Sequence, residues 1–153
     1  MHGGNLEGLK LNCFSGELRV LEGCPRLKGL GLLLHKINLY PDVFVTDKPH
    51  EHLSKICITF TCSAGIGSCM KERKTARGKG RVMVEDVFED LDLSTLVGLK
   101  EVKTNAVWWP TTDKQTKKNA CYWPGISDKY AKRGLRLVDE EGVHWVPRMS
   151  ARK

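Results

Sequence analysis

Over residues 56–62 the chain alternates strictly. Ile56, Ile58, Phe60 and Cys62 fall on one face of an extended strand, and Cys57, Thr59 and Thr61 fall on the other. A period of two in β-branched and aromatic residues predicts a strand with one buried side. Such a strand needs neighbours, and the rest of the chain must supply them. Leu9, Leu11 and Cys13, then Leu18 and Val20, predict two short strands around a Ser15-Gly16 turn. Residues 43–46, 82–84 and 102–109 are further extended candidates. Residues 135–138 and 143–146 predict a hairpin closed by Asp139-Glu140-Glu141-Gly142. One helix is expected over residues 25–41. There Leu27, Leu30, Leu34 and Ile37 recur at helical spacing, with Pro25 at the start and Pro41 at the stop. Ser94 is placed to cap a short helical turn before Gly98. Together these predict one small domain over residues 1–153, α+β or mainly β. It is built of short, mostly antiparallel strands with one or two helices.

The residues after the first strand carry the most chemical pattern. Cys62-Ser63-Ala64-Gly65-Ile66-Gly67 resembles the signature loop of the protein tyrosine phosphatases. In that family a strand ends in His-Cys, a small-residue loop wraps a phosphate with its backbone N–H groups, and an Arg closes it. The resemblance implies a Cys62 thiolate nucleophile. This chain has Thr61 where the family has His and Ser68 where it has Arg. Trp109-Pro110 and Trp123-Pro124 follow the Cys, whereas the family's Trp-Pro-Asp loop precedes it. A Cys62 nucleophile would need a base such as His50, His52 or His144.

Charge points elsewhere. Lys and Arg number 25 against 18 Asp and Glu, a net charge of +7 and a pI near 9.2. That balance favours polyanionic partners, nucleic acid or an anionic membrane. A basic loop spans residues 71–81 and offers Arg73, Lys74, Arg77 and Lys79. An acidic run follows directly, from Glu85 to Asp92, and the two runs can neutralise each other.

A second pattern lies in the aromatic-proline and basic segment, residues 104–136. "WWPTTDK" at 108–114 and "YWPGISDK" at 122–129 share one form: aromatic, Trp, Pro, small residues, Asp, Lys. Each copy reads as a strand end that presents rings beside a turn. Trp109 and Trp123 are candidate stacking platforms for the bases of single-stranded RNA or DNA. Lys114, Lys117, Lys118, Lys129, Lys132 and Arg133 are candidate phosphate contacts. The competing reading is that these tryptophans are core.

Cys57, Cys62, Cys69 and Cys121 with His50 and His52 match no usual zinc spacing, so no metal and no cofactor is expected. No signal peptide and no apolar run of ~20 residues is read, which predicts an intracellular protein, cytoplasmic or nuclear, with reduced thiols. The leading expectation is a non-enzymatic, basic nucleic-acid-binding protein. Virus-encoded structural and silencing-suppressor proteins share these traits by analogy. The alternatives are a matrix-type protein that self-associates on anionic membranes and a degenerate cysteine phosphatase using Cys62.

Overall fold

The computed structural model describes residues 4–12, 19–34, 41–44, 46–61, 88, 91–110 and 123–146. Five strands form one sheet: β1 (Gly8–Asn12), β2 (Gly29–Leu34), β3 (Lys55–Phe60), β4 (Glu101–Thr104) and β5 (Arg136–Val138). Their spatial order is their chain order, and every adjacent pair is parallel. This corrects the expectation of mostly antiparallel strands. Alternation tells which residues face inward but not which way a neighbour runs. Direction is set by the connections, and strands that begin at positions 8, 29, 55, 101 and 136 leave room for the long crossovers that parallel pairing requires.

A repeated backbone device joins the strands. The carbonyl of Glu7 accepts from the N–H groups of Lys28 and Gly29. The carbonyl of Lys28 accepts from Ser54 and Lys55, and that of Ser54 from Lys100 and Glu101. The carbonyl of Lys100 then accepts from Arg136. The side chains repeat with it. In register stand Leu9, Leu30, Ile56, Val102 and Leu137. Three residues before each are Leu6, Leu27, Leu53, Leu99 and Gly134, and two residues after are Leu11, Leu32, Ile58, Thr104 and Asp139. The motif is therefore Leu-x-x-Leu-x-Leu, complete in the first two strands, conservatively varied in the third and worn down in the last two.

Most parallel sheets are covered on both faces and read as continuous apolar runs. This one alternates: β2 and β4 run half-buried, buried, half-buried, buried, and β3 does the same from an exposed start. One face holds the core, with Leu30, Leu32, Ile56, Ile58, Val102 and Leu137 all at most 2% exposed. The other face is open among the described residues.

Several local expectations change as well. The apolar run predicted as a helix over 25–41 forms β2 instead. Leu30, Leu32 and Leu34 are buried while Gly29, Gly31 and Leu33 lie on the other face, a period of two rather than 3.6. In place of an extended segment at 43–46, Pro41–Phe44 is a 3-10 turn. Val20 belongs to a one-turn helix, α1 (Val20–Gly23), not to a strand. Before Gly98 it is the Asp92 carboxylate, not Ser94, that accepts the exposed N–H, here that of Ser94 itself.

The predicted hairpin reduces to β5 and an isolated antiparallel bridge between Val138 and His144. Its turn holds as expected: Gly142 has φ 85°, and Asp139 accepts from Gly142 through its carbonyl and from Val143 through its carboxylate.

The longest described helix is α2 (Trp123–Ala131). Trp123, Ile126, Ser127 and Tyr130 are its buried stripe, at the spacing of one helix face. Trp123 packs edge-on to Phe88 at 5.4 Å, Phe88 meets Phe60 at 6.4 Å, and the Tyr130 hydroxyl donates to the Phe88 carbonyl at 3.0 Å. Burial raises the Tyr130 phenol pKa. The helix ends in a Schellman motif: the Leu135 N–H reaches the Tyr130 carbonyl, the Gly134 N–H reaches that of Ala131, and Gly134 sits at φ 75°. Among the described residues no helix is long and apolar enough to cross a membrane.

Candidate binding face

The open face of the sheet is built in rows across the strands. One row runs Gly8, Gly29, Lys55, Glu101, Arg136, and the next runs Lys10, Gly31, Cys57, Lys103, Val138. A third carries Asn12, Leu33 and Thr59. Only Val138 in these rows is buried. Lys10, Lys55, Lys103 and Arg136 share the face with one carboxylate, Glu101. That carboxylate meets Lys55 Nζ at 2.7 Å and Arg136 Nη2 at 3.8 Å. The hydrogen bond from Lys55 holds the Glu101 pKa below its ordinary value. The charges of Lys55, Arg136 and Lys103 add to this, and burial opposes it. With Glu101 already answered twice, the surplus charge of the described residues on this face is positive.

Beyond the end of β4 a side chain extends the ladder. The Phe60 N–H donates to Asn105 Oδ1 and Asn105 Nδ2 donates to the Phe60 carbonyl, both at 2.9 Å. An amide side chain thus stands where a backbone partner would have been, and the rim of the face is held in place.

The residues singled out from the sequence divide sharply. Trp123 is 1% exposed and belongs to the core. Its copy of the aromatic-proline pattern opens a helix, with Pro124 in the first turn, rather than ending a strand. Trp109 is half-buried against the core. It donates from Nε1 to the Val143 carbonyl at 3.1 Å and stands 6.1 Å from the Trp145 ring. Lys129, Lys132 and Arg133 are exposed at the C-terminal end of α2, where cations complement the helix dipole. Arg73, Lys74, Arg77, Lys79, Lys114, Lys117 and Lys118 lie outside the described residues, as does Cys62 with its loop. Sequence reasoning misses the face residues Lys10, Lys55, Lys103 and Arg136. They are far apart in the chain, and only strand register brings them together.

A second feature lies off the sheet face. A cavity of about 470 Å³ opens between α1 and the loop before β3, with Leu21, Glu22, Asp47, His50 and His52 in its wall. Arg19 already ties Glu22 and Asp47, at 3.0 and 3.5 Å. His50 is buried with both ring nitrogens engaged: Nδ1 accepts from the Leu53 N–H, which leaves Nε2 to donate to the Cys24 carbonyl, both at 3.1 Å. It is a strut between two loops. Among the described residues no group of three or more His, Cys, Asp or Glu is placed to hold a metal ion.

No protein family, curated protein or solved structure was found to match this chain.

Proposed function

We propose that this chain is a non-enzymatic binding scaffold that holds an acidic macromolecular partner on the open face of its sheet. The observation that carries the reading is the one-sided parallel ladder. Each strand repeats Leu-x-x-Leu-x-Leu, or its worn form, and pairs with the next in chain order, which is the arrangement of leucine-rich solenoids. In such arrays the repeats bury one side together and leave an extended surface for binding. Among the described residues the strand rows of this surface carry Lys10, Lys55, Lys103 and Arg136 against Glu101 alone, so charge complementarity favours an acidic partner. The test is fluorescence anisotropy with labelled poly-L-glutamate. Lys10→Glu combined with Lys103→Glu is expected to weaken binding at least tenfold and to flatten its salt dependence. Unchanged binding overturns the assignment of the face.

The nucleic-acid reading has its own support in the exposed Lys129, Lys132 and Arg133 at the end of α2 and in the net charge of +7. It predicts that a labelled oligouridine binds, and that reversing these three charges weakens it while the Lys10 and Lys103 reversal does not. Removing one phosphate-binding cation should lower the salt slope by about one unit at most.

A further inference from the structure

Resting on the open-face reading above, we propose that the partner presents an extended peptide segment with two acidic residues four apart, laid across the strands over a glycine trough. The trough comes from three glycines on neighbouring strands. Gly8 and Gly29 are paired in register, and a Cβ added at either would meet nothing within 4 Å. Gly31 lies in the adjoining row. The stem of Lys10 leans on it, with Lys10 Cγ 3.4 Å from the position a Gly31 Cβ would take. Bare backbone here lets another chain approach more closely than side chains on the neighbouring strands would allow.

Spacing sets the motif. Lys10, Gly31, Cys57 and Lys103 form one row, so the two lysines are three strands apart. Strands stand ~4.8 Å apart, which separates their backbones by roughly 14 Å, and an extended peptide advances ~3.4 Å per residue, so its residues i and i+4 span the same distance and point the same way. Acids at those positions meet Lys10 and Lys103. The residue between them, at i+2, also points down, onto Gly31 and the half-buried Cys57, and an apolar side chain fits there against the Lys10 stem. Among the described residues Lys10 has no ion pair of its own. The charge of Lys103 acts on Glu101, the carboxylate that Lys55 and Arg136 already hold.

The experiment uses the full chain and two labelled peptides of equal charge, Ser-Glu-Ser-Leu-Ser-Glu-Ser and Ser-Glu-Ser-Leu-Glu-Ser-Ser. The first places its acids at i and i+4, and the second at i and i+3, on opposite sides of an extended chain. The first is expected to bind at least tenfold more tightly. Gly29→Trp, which fills the trough from an open position, is expected to remove that preference while leaving the melting temperature unchanged. Equal affinity for the two peptides overturns the proposal without needing any variant. So does a Gly29→Trp protein that folds and retains the preference. If the Lys10 and Lys103 reversal still weakens poly-L-glutamate binding at least tenfold in that case, the open-face reading stands and only the peptide motif falls. If that reversal also has no effect, both fall. A ten-nucleotide oligouridine that displaces the first peptide and binds more tightly than it would make nucleic acid the occupant and overturn the proposal.

Discussion

On β3, Ile56, Ile58 and Phe60 are 0 to 4% exposed, while Lys55, Cys57 and Thr59 on the same strand stay exposed or half-buried. The two faces are thus built from the same backbone on opposite terms. The inner face is fixed by packing: a slip of one residue would turn Lys55, Cys57 and Thr59 inward, so the apolar set also fixes register. The outer face has no such constraint, and it is there that glycines and lysines collect. The difference separates what holds the molecule together from what it can offer a partner.

The sharpest way to break that contrast is to truncate one residue on each side of β3. Ile58→Ala leaves a cavity beside Leu32 and Thr104, its register neighbours, and is expected to cost about 2–5 kcal/mol. Thr59→Ala, one residue on, should stay within about 0.5 kcal/mol. Urea titrations of the two variants measure both. Comparable losses would mean that the outer face is covered.

The same contrast explains what could be read from the sequence. The alternation of β3 is plain, since Ile56, Ile58 and Phe60 allow one period only. β2 is ambiguous, because Leu27, Leu30 and Leu34 suit a helix as well as Leu30, Leu32 and Leu34 suit a strand. Gly29 and Gly31 bear on the choice: glycines at alternate positions leave a helix without side chains on part of its surface, whereas in a strand both fall on the open face, where no core packing is lost. Leu-x-x-Leu-x-Leu at 6, 27 and, with isoleucines, 53 is present in the letters, but its uneven spacing hides the repeat. The proposed binding face cannot be read at all, because Lys10, Lys55, Lys103 and Arg136 share nothing until parallel pairing aligns them. The aromatic-proline copies mislead for a related reason. Their likeness is local, while the fate of Trp123 is decided by the stripe of α2 and by Phe88.

A polar residue beside the open face tests the contrast from the other side. Asn105→Ala removes both hydrogen bonds to Phe60 and leaves a half-buried N–H and carbonyl unanswered, each worth about 1–3 kcal/mol when fully dry and less with water nearby. A loss of about 1–3 kcal/mol is expected in the same titration, the largest on this side of the sheet. Asn105→Asp keeps the acceptor but not the donor, and should recover part of the loss. If Asn105→Ala behaves like Thr59→Ala, water replaces the amide and the rim contributes nothing to stability.

The joint between α2 and β5 sharpens the contrast at its weak end, where the leucine motif has worn down to Gly134. Gly134→Ala forces a side chain into the left-handed region and is expected to cost about 1–2 kcal/mol. Gly29→Ala, on the open face and without a positive φ, should be neutral or stabilising, since β2 gains strand propensity and its Cβ meets nothing. Thermal melts of the pair check this, and a destabilised Gly29→Ala would show that the trough is tighter than its geometry allows.

The smallest effect belongs to the ion pairs of the face itself. Glu101 has a folded-state pKa below its ordinary value because Lys55 donates to it and Arg136 and Lys103 lie near. A depressed carboxylate pKa means that the folded protein holds the proton less tightly than the unfolded chain. The contribution is therefore fully present above the ordinary carboxylate value, and it is lost as pH falls through the folded one. Lys55 and Arg136 are more than half exposed, so the network is screened and worth about 0.2–1 kcal/mol at neutral pH. Glu101→Gln should cost that much at about pH 7 and progressively less toward about pH 2, where both proteins carry a neutral side chain at this position. Added salt should shrink the neutral-pH difference in the same way. Urea midpoints of both proteins across this range provide the measurement, and a difference that widens in acid would reverse the sign argued here. At neutral pH the same variant removes the only carboxylate from the rows that carry Lys10, Lys55, Lys103 and Arg136. It should therefore bind poly-L-glutamate more tightly while being slightly less stable, because the Lys55 and Arg136 charges it gives up become available to the partner.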